Sequence, residues 1–175
     1  MKESIYKSII GNLRLIAQGY NLIYCNWEDD ECSKKLNKTR KYALDSSNLY
    51  DEKEEEEKEV LKKAEKELDL YFKGMLREFT VPLTFYGTDF ERDVWVELNR
   101  VDFGEKISYK ELGDHVGKVS AARAVAKACG ANPLAIIIPC HRVIKSNGEL
   151  GGYTGGLFRK KFLLDYESRI RKGDM

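Results

Sequence analysis

Strand-period alternation is confined to the first 27 residues of this chain, and every later periodic stretch has the helical period. Ser8-Ile9-Ile10, Arg14-Leu15-Ile16 and Asn21-Leu22-Ile23-Tyr24 carry the alternation. Gly11-Asn12 and Gln18-Gly19 between them are hairpin signals, so an antiparallel meander is expected. Residues 28–50 are polar, lack a clear period, and read as loop with some helix. Asp51 to Lys73 reads as one helix, with Leu61, Ala64, Leu68, Tyr71 and Phe72 on a stripe and Gly74 as the stop. The acidic run Glu54–Glu57 suits the solvated N-terminal end of that helix, where the dipole favours negative charge.

At 175 residues the chain can hold one large domain or two small ones. Residues 79–87, which include Pro82, read as a linker, giving an N-terminal domain over 1–78 and a second over 88–175. The second opens on a capping box, Thr88-Asp89-Phe90-Glu91, with Phe90, Val94 and Leu98 on one face. Ser108-Tyr109-Lys110-Glu111 is another capping box, opening a short helix that ends near Gly117. Ser120 can cap an alanine-rich helix running to Gly130, so the pair forms a plausible helix-turn-helix. An apolar run from Leu134 to Ile138 leads into Pro139-Cys140-His141-Arg142-Val143. A glycine-rich loop from Gly148 to Gly156 follows, then a closing helix from about Leu157 to Arg169.

Net charge is +1, so the chain as a whole advertises no polyanion partner. Its distribution is more informative. No acidic residue lies between His115 and Gly148, while Lys118, Arg123, Lys127, Arg142 and Lys145 do. A basic surface of this kind is the footprint of a nucleic-acid binder. The four cysteines, with no signal peptide, point to a reducing cytoplasm rather than a disulfide scaffold. No apolar run approaches the roughly 18 residues that a membrane span needs. Cys25 and Cys32 are not at a usual zinc spacing, and His115 and His141 are remote from them, so no metal is expected.

Pro139-Cys140-His141 has the ingredients of a nucleophilic centre, because a nearby imidazole and cations favour thiolate. If the segment is extended, neighbouring side chains point to opposite sides. Coupling then needs a water or a local turn, and the imidazole needs an acid to orient it. Cys140 could equally be a small buried apolar residue.

From about residue 68 to 167 the sequence resembles the O6-alkylguanine-DNA alkyltransferases, also called methylated-DNA–protein-cysteine methyltransferases. The matching pieces are Leu68-Asp69-Leu70-Tyr71-Phe72-x-Gly74, Gly87-Thr88-x-Phe90, Val94-Trp95 and Ser108-Tyr109. Ala122-Arg123-Ala124-Val125, Asn132-Pro133 and Ile138-Pro139-Cys140-His141-Arg142-Val143 follow in order. Gly151-Gly152-Tyr153-x-Gly155-Gly156-Leu157 and Lys160-x-Phe162-Leu163-Leu164-x-x-Glu167 complete the series.

The resemblance implies an α+β chain. An N-terminal antiparallel-sheet α/β domain of ribonuclease H-like type would precede a mostly helical, winged helix-turn-helix-like domain. It also implies single-use alkyl transfer from a damaged base in double-stranded DNA to Cys140, without a cofactor. His141 would be the base, acting through a water, and Glu167 would orient it. Tyr109 would donate to the guanine ring. The backbone around Cys140 and Val143 would read the base's amino group, with Tyr153, Thr154 and Lys160 shaping the pocket. Asn132 would tie the helix-turn-helix to the acceptor segment. Arg123 would fill the stack vacated by an extruded base, with Ser120, Ala122 and Ala124 approaching the DNA. Cys129 reads as a packing residue. No long exposed apolar stripe calls for a partner helix, so a monomer is expected.

Overall fold

The computed structural model describes residues 1–28, 30–45 and 53–173, with backbone alone for 30–34, 44 and 45. The chain divides into two compact units, Met1–Gly87 and the residues from Thr88 onward.

The first unit is built on an antiparallel meander of β1 (Lys2–Ser8), β2 (Gly11–Gln18) and β3 (Asn21–Trp27). The expected hairpin turns occur, with the first displaced. Ser8 pairs with Gly11, so Ile9-Ile10 form the turn and Gly11-Asn12 open β2. The Ser8 hydroxyl fixes that turn by accepting from Ile10 N–H and donating to Gly11 O. The second turn is Gly19-Tyr20, between paired Gln18 and Asn21.

The stretch read as loop with some helix is largely α1 (Asp30–Asp45), 16 residues long. Its polar sequence hid it: among its described side chains, Thr39 and Ala43 are the buried ones. Residues 46–50 lie outside the described set, as do Asp51 and Glu52, so α2 is described over Glu54–Phe72. It lays Val60, Leu61, Ala64, Leu68 and Tyr71 against the sheet. The acidic run is not wholly solvated: Glu57 is buried and accepts from Gly19 N–H at 3.0 Å.

Residues 79–87 are not a free linker. Leu22 N–H donates to Pro82 O at 2.8 Å and Thr84 N–H to Leu22 O at 3.1 Å, so the segment extends the sheet beside β3. Glu67 holds its start by accepting from the amides of Thr80 and Val81. Proline is tolerated because Pro82 contributes only its carbonyl.

The second unit contains α3 (Asp89–Leu98), β4 (Ile107–Ser108), α4 (Tyr109–His115), α5 (Ala122–Ala131), β5 (Val143–Ile144) and α6 (Leu157–Lys172). Both capping boxes form as expected, at Thr88/Glu91 and Ser108/Glu111. Helices α3, α4 and α5 pack on one another, and the Trp95 indole donates to Ala128 O at 2.9 Å. Ser120 does not cap α5. Its φ of 65° places it in the turn itself, and Ala121 is the cap residue without a side-chain bond. The apolar run 134–138 is a buried, irregular segment in which Ile136 has φ of 70°. Strands β4 and β5 pair in parallel, Ile107 with Val143 and Ser108 with Ile144. This short ladder sets the start of α4 beside the chain that follows Cys140. Among the described residues no helix is long and apolar enough to cross a membrane.

Candidate active site

Cys140 opens a 3₁₀ turn, Cys140–Arg142, so the acceptor segment is not extended. Pro139 enters it, Arg142 N–H closes on Pro139 O at 2.9 Å, and β5 leaves it. A turn lets successive side chains take up different jobs in a small volume. Cys140, His141 and Arg142 are all buried.

Asn132 holds the turn from the end of α5. Fully buried, it donates from one amide nitrogen to Ile138 O at 2.8 Å and to Cys140 Sγ at 3.2 Å. Its side-chain oxygen accepts from Leu134 N–H at 3.0 Å. Leu134–Ile138 is thereby kept as a compact loop, and the sulfur has a fixed donor.

Behind the turn is a buried charged cluster. His141 Nε2 lies 2.9 Å from Glu167 Oε1. Arg142 donates to both Glu167 oxygens, from Nε at 2.8 Å and Nη2 at 2.9 Å, and Gly104 N–H adds a fourth donor. Burial alone would raise the Glu167 carboxyl, but His141 and Arg142 overcome it and hold the group well below the usual carboxylate range. Burial also keeps His141 below its ordinary value, with Glu167 opposing. These directions fix the tautomer. A carboxylate only accepts, so Nε2 carries the hydrogen of a neutral ring, and Nδ1 has a bare lone pair. Nδ1 is buried and has no protein partner among the described residues.

Cys140 lies on the wall of a cavity of about 300 Å³, together with Tyr109, Ala126, Cys129, Gly130, Gly152, Tyr153 and Thr154. Tyr109 starts α4 and donates to Gly152 O at 3.3 Å. Burial, aided by Cys129 and Cys140, pushes its phenol up to about 12, so it stays a proton donor at neutral pH. Lys160 projects from α6 and joins the walls, donating to Val143 O at 2.6 Å and Gly152 O at 3.0 Å. Burial pushes its ammonium down to about 8, against the attraction of Cys140 and Cys129. Thr154 donates to Gly130 O at 2.9 Å, pinning the glycine-rich loop to α5.

The structure thus gathers Cys140, His141, Glu167, Asn132, Val143, Tyr109, Tyr153, Thr154 and Lys160 around one turn and one cavity. Arg123 and Ala124 are exposed and Ala122 half-buried on the first turn of α5, outside the cavity lining. Ser120 is exposed in the preceding turn. The basic surface read from residues 115–148 shrinks, because Arg142 is committed to Glu167 and Lys145 pairs with Glu149. Lys118, Arg123 and Lys127 remain exposed.

Sequence reasoning missed three residues. Arg142 looked like a surface cation, and only the fold reveals its buried bidentate pairing. Gly151, φ +67°, leaves room for Tyr109: a Cβ there would sit 2.8 Å from the ring. Cys129 is not only a packing residue but lines the same cavity as Cys140.

Two family models match. One described as "6-O-methylguanine DNA methyltransferase, ribonuclease-like domain" covers residues 1–85. The other, "6-O-methylguanine DNA methyltransferase, DNA binding domain", covers 89–169. A methylated-DNA–protein-cysteine methyltransferase of Methanosarcina acetivorans is 36% identical over 95% of this chain and 98% of its own length. The protein of that name from Mycobacterium bovis is 49% identical over 62% of this chain, and the match spans 66% of that relative. Among solved structures, Mycobacterium tuberculosis OGT in complex with DNA matches with TM-score 0.77 and 37% identity, over 95% of this chain and 92% of that one. The α+β architecture agrees with these matches. With both halves matched and a full-length relative above one-third identity, this chain belongs to the 6-O-methylguanine DNA methyltransferase family.

Proposed function

We propose that this protein repairs DNA by direct reversal, moving the alkyl group of an O6-alkylguanine onto Cys140 in a single irreversible turnover. The observation that carries the reading is a sulfur on the wall of a base-sized cavity, backed by a buried imidazole–carboxylate pair.

In this mechanism a water links the Cys140 thiol to His141 Nδ1, which takes the proton while Glu167 keeps Nε2–H in place. The thiolate attacks the alkyl carbon, an S–C bond forms, and the O6–C bond breaks with guanine as leaving group. Tyr109, held protonated, donates to the departing ring and offsets its developing charge. The carbonyls around Cys140 and Val143 suit the exocyclic amino group. Tyr153 and Thr154 wall the alkyl end, and Lys160 keeps the walls together. The product is a thioether, which presents no activated carbonyl to water, so the protein is spent. No cofactor enters any step.

A base inside a duplex hides its O6, so the substrate must be extruded at a cost of roughly a few kcal/mol. Arg123, exposed on the first turn of α5, is suited to fill the gap, with Ala122, Ala124 and Ser120 small enough for close approach to DNA. Phosphate contacts carry no sequence information, which suits a search for damage. The DNA complex of the similar Mycobacterium tuberculosis structure supports DNA as the partner. We place the protein in the cytoplasm as a monomer, since a reducing compartment keeps the acceptor thiol free.

Incubation with an oligonucleotide carrying one O6-methylguanine tests the reading. Intact mass should rise by one methyl group per molecule, on Cys140, and the gain should be absent in Cys140→Ala. An unmodified protein in the presence of bound substrate would overturn it.

A further inference from the structure

Cys129 is a buried thiol for which the alkyl-transfer chemistry has no use. Ala126, Cys129 and Gly130 recur at the i, i+3, i+4 spacing of one helix face, and all three line the cavity that contains Cys140. Asn132 links the two cysteines directly. Its backbone N–H donates to Cys129 O at 3.3 Å, while its side chain donates to Cys140 Sγ at 3.2 Å. Two reduced thiols therefore share one walled space of about 300 Å³.

We propose that Cys129 and Cys140 form a dithiol site for trivalent arsenicals, and that its occupancy blocks the alkyl acceptor. With an organoarsenic oxide, two S–As bonds form and the As–O bond breaks. The two thiol protons leave with that oxygen as one water. Arsenic stays trivalent, so no oxidant or reductant is needed.

The chemistry favours arsenic over reagents that need a reactive thiolate at both positions. Burial raises the Cys129 thiol well above its usual range, Cys140 raises it further, and Lys160 opposes only in part. A poor nucleophile can still exchange for oxygen on arsenic, because its proton leaves with the oxygen. Once one thiol has bound, the second acts intramolecularly at high effective concentration, which strengthens retention about a hundredfold or more over a single thiol. The cavity serves the same purpose by holding the first adduct beside its partner.

The probe is phenylarsine oxide, applied to the intact chain and followed by excess glutathione. One arsenical per molecule should survive glutathione and be released by a dithiol such as dimercaptopropanol. Free thiols counted after denaturation should fall by two, with the peptides bearing Cys129 and Cys140 protected. In Cys129→Ser and in Cys140→Ser, glutathione should strip the adduct at least tenfold faster. Cys25→Ser and Cys32→Ser should retain it like the parent chain. Alkyl transfer by the parent should stop on loading and return with dimercaptopropanol. The proposal is overturned if glutathione strips the parent adduct, if the adduct persists in Cys129→Ser, or if peptides other than these two are protected. The thiol count uses the unmutated chain, so it decides the question even if a variant fails to fold. Arsenical retention is also independent of whether an alkylated base is the substrate.

Discussion

Glu167→Gln is nearly isosteric, yet it should be among the most damaging single changes available in this protein. The carboxylate accepts four hydrogen bonds: Arg142 Nε and Gly104 N–H reach Oε2, while Arg142 Nη2 and His141 Nε2 reach Oε1. Whichever oxygen becomes an amide nitrogen, two donors then face a donor. Each orphaned donor costs about 1–3 kcal/mol, and Arg142 keeps a buried charge without its counter-ion. Breaking a buried pair in this way costs about 3–5 kcal/mol, which is a large share of a domain's stability. If the amide nitrogen faces His141, the ring can answer only by becoming the Nδ1–H tautomer, which gives up the lone pair needed as base. A wrong tautomer of this sort costs on the order of 10⁴ in rate in a serine-protease triad, so a loss of about 10³ or more is expected here. Urea titration measures the first effect. Intact mass against time, with an O6-methylguanine oligonucleotide in excess, measures the second. A variant within about 1 kcal/mol of the parent that transfers at the parental rate would refute the reasoning.

Stability should fall as pH drops below the ordinary histidine value of 6.5, because buried His141 titrates lower in the folded chain than in the unfolded one. The unfolded state then binds the extra proton, at up to about 1.4 kcal/mol per pH unit. Glu167, titrating well below the ordinary carboxylate, adds to the slope in the same direction, mostly below about pH 5. Urea titrations of the parent should therefore steepen in the histidine range relative to His141→Gln, and equal slopes would count against a neutral buried ring. Gly151→Ala should impose about 1–2 kcal/mol of left-handed strain and drive Tyr109 from the cavity wall, slowing transfer; a parental rate would mean Tyr109 does not need its present position. Arg123→Ala should leave stability within about 0.5 kcal/mol but slow transfer from duplex DNA far more than from a single strand. Equal slowing on both would remove its role in extrusion.

Local signals were legible at the two capping boxes. Thr88 and Ser108 capped their helices because a hydroxyl followed three residues later by glutamate satisfies two backbone donors. Ser120 failed because capping needs extended backbone, and the residue was already required in the left-handed region to turn the chain. Helix α1 was obscured by its polar sequence; among its described side chains, Thr39 and Ala43 are the buried ones. Residues 79–87 read as a linker in sequence because their bonding partner, Leu22, lies far back in the chain. The site divides in the same way. Cys140, His141 and Glu167 were named from their motifs, but the use of Arg142 as a buried clamp on Glu167 appears only when α6 is folded against the turn. Cys129 needed the helix phase and the cavity together.

The bond from the Asn132 amide to Cys140 Sγ gives the acceptor atom a second duty as a fastener. An S-alkyl group adds bulk at that junction and leaves the sulfur a poorer acceptor, so the event that completes the repair also loosens the clasp between the end of α5 and the loop before Pro139. A used molecule should accordingly be softer than a fresh one at the spot where its chemistry was recorded.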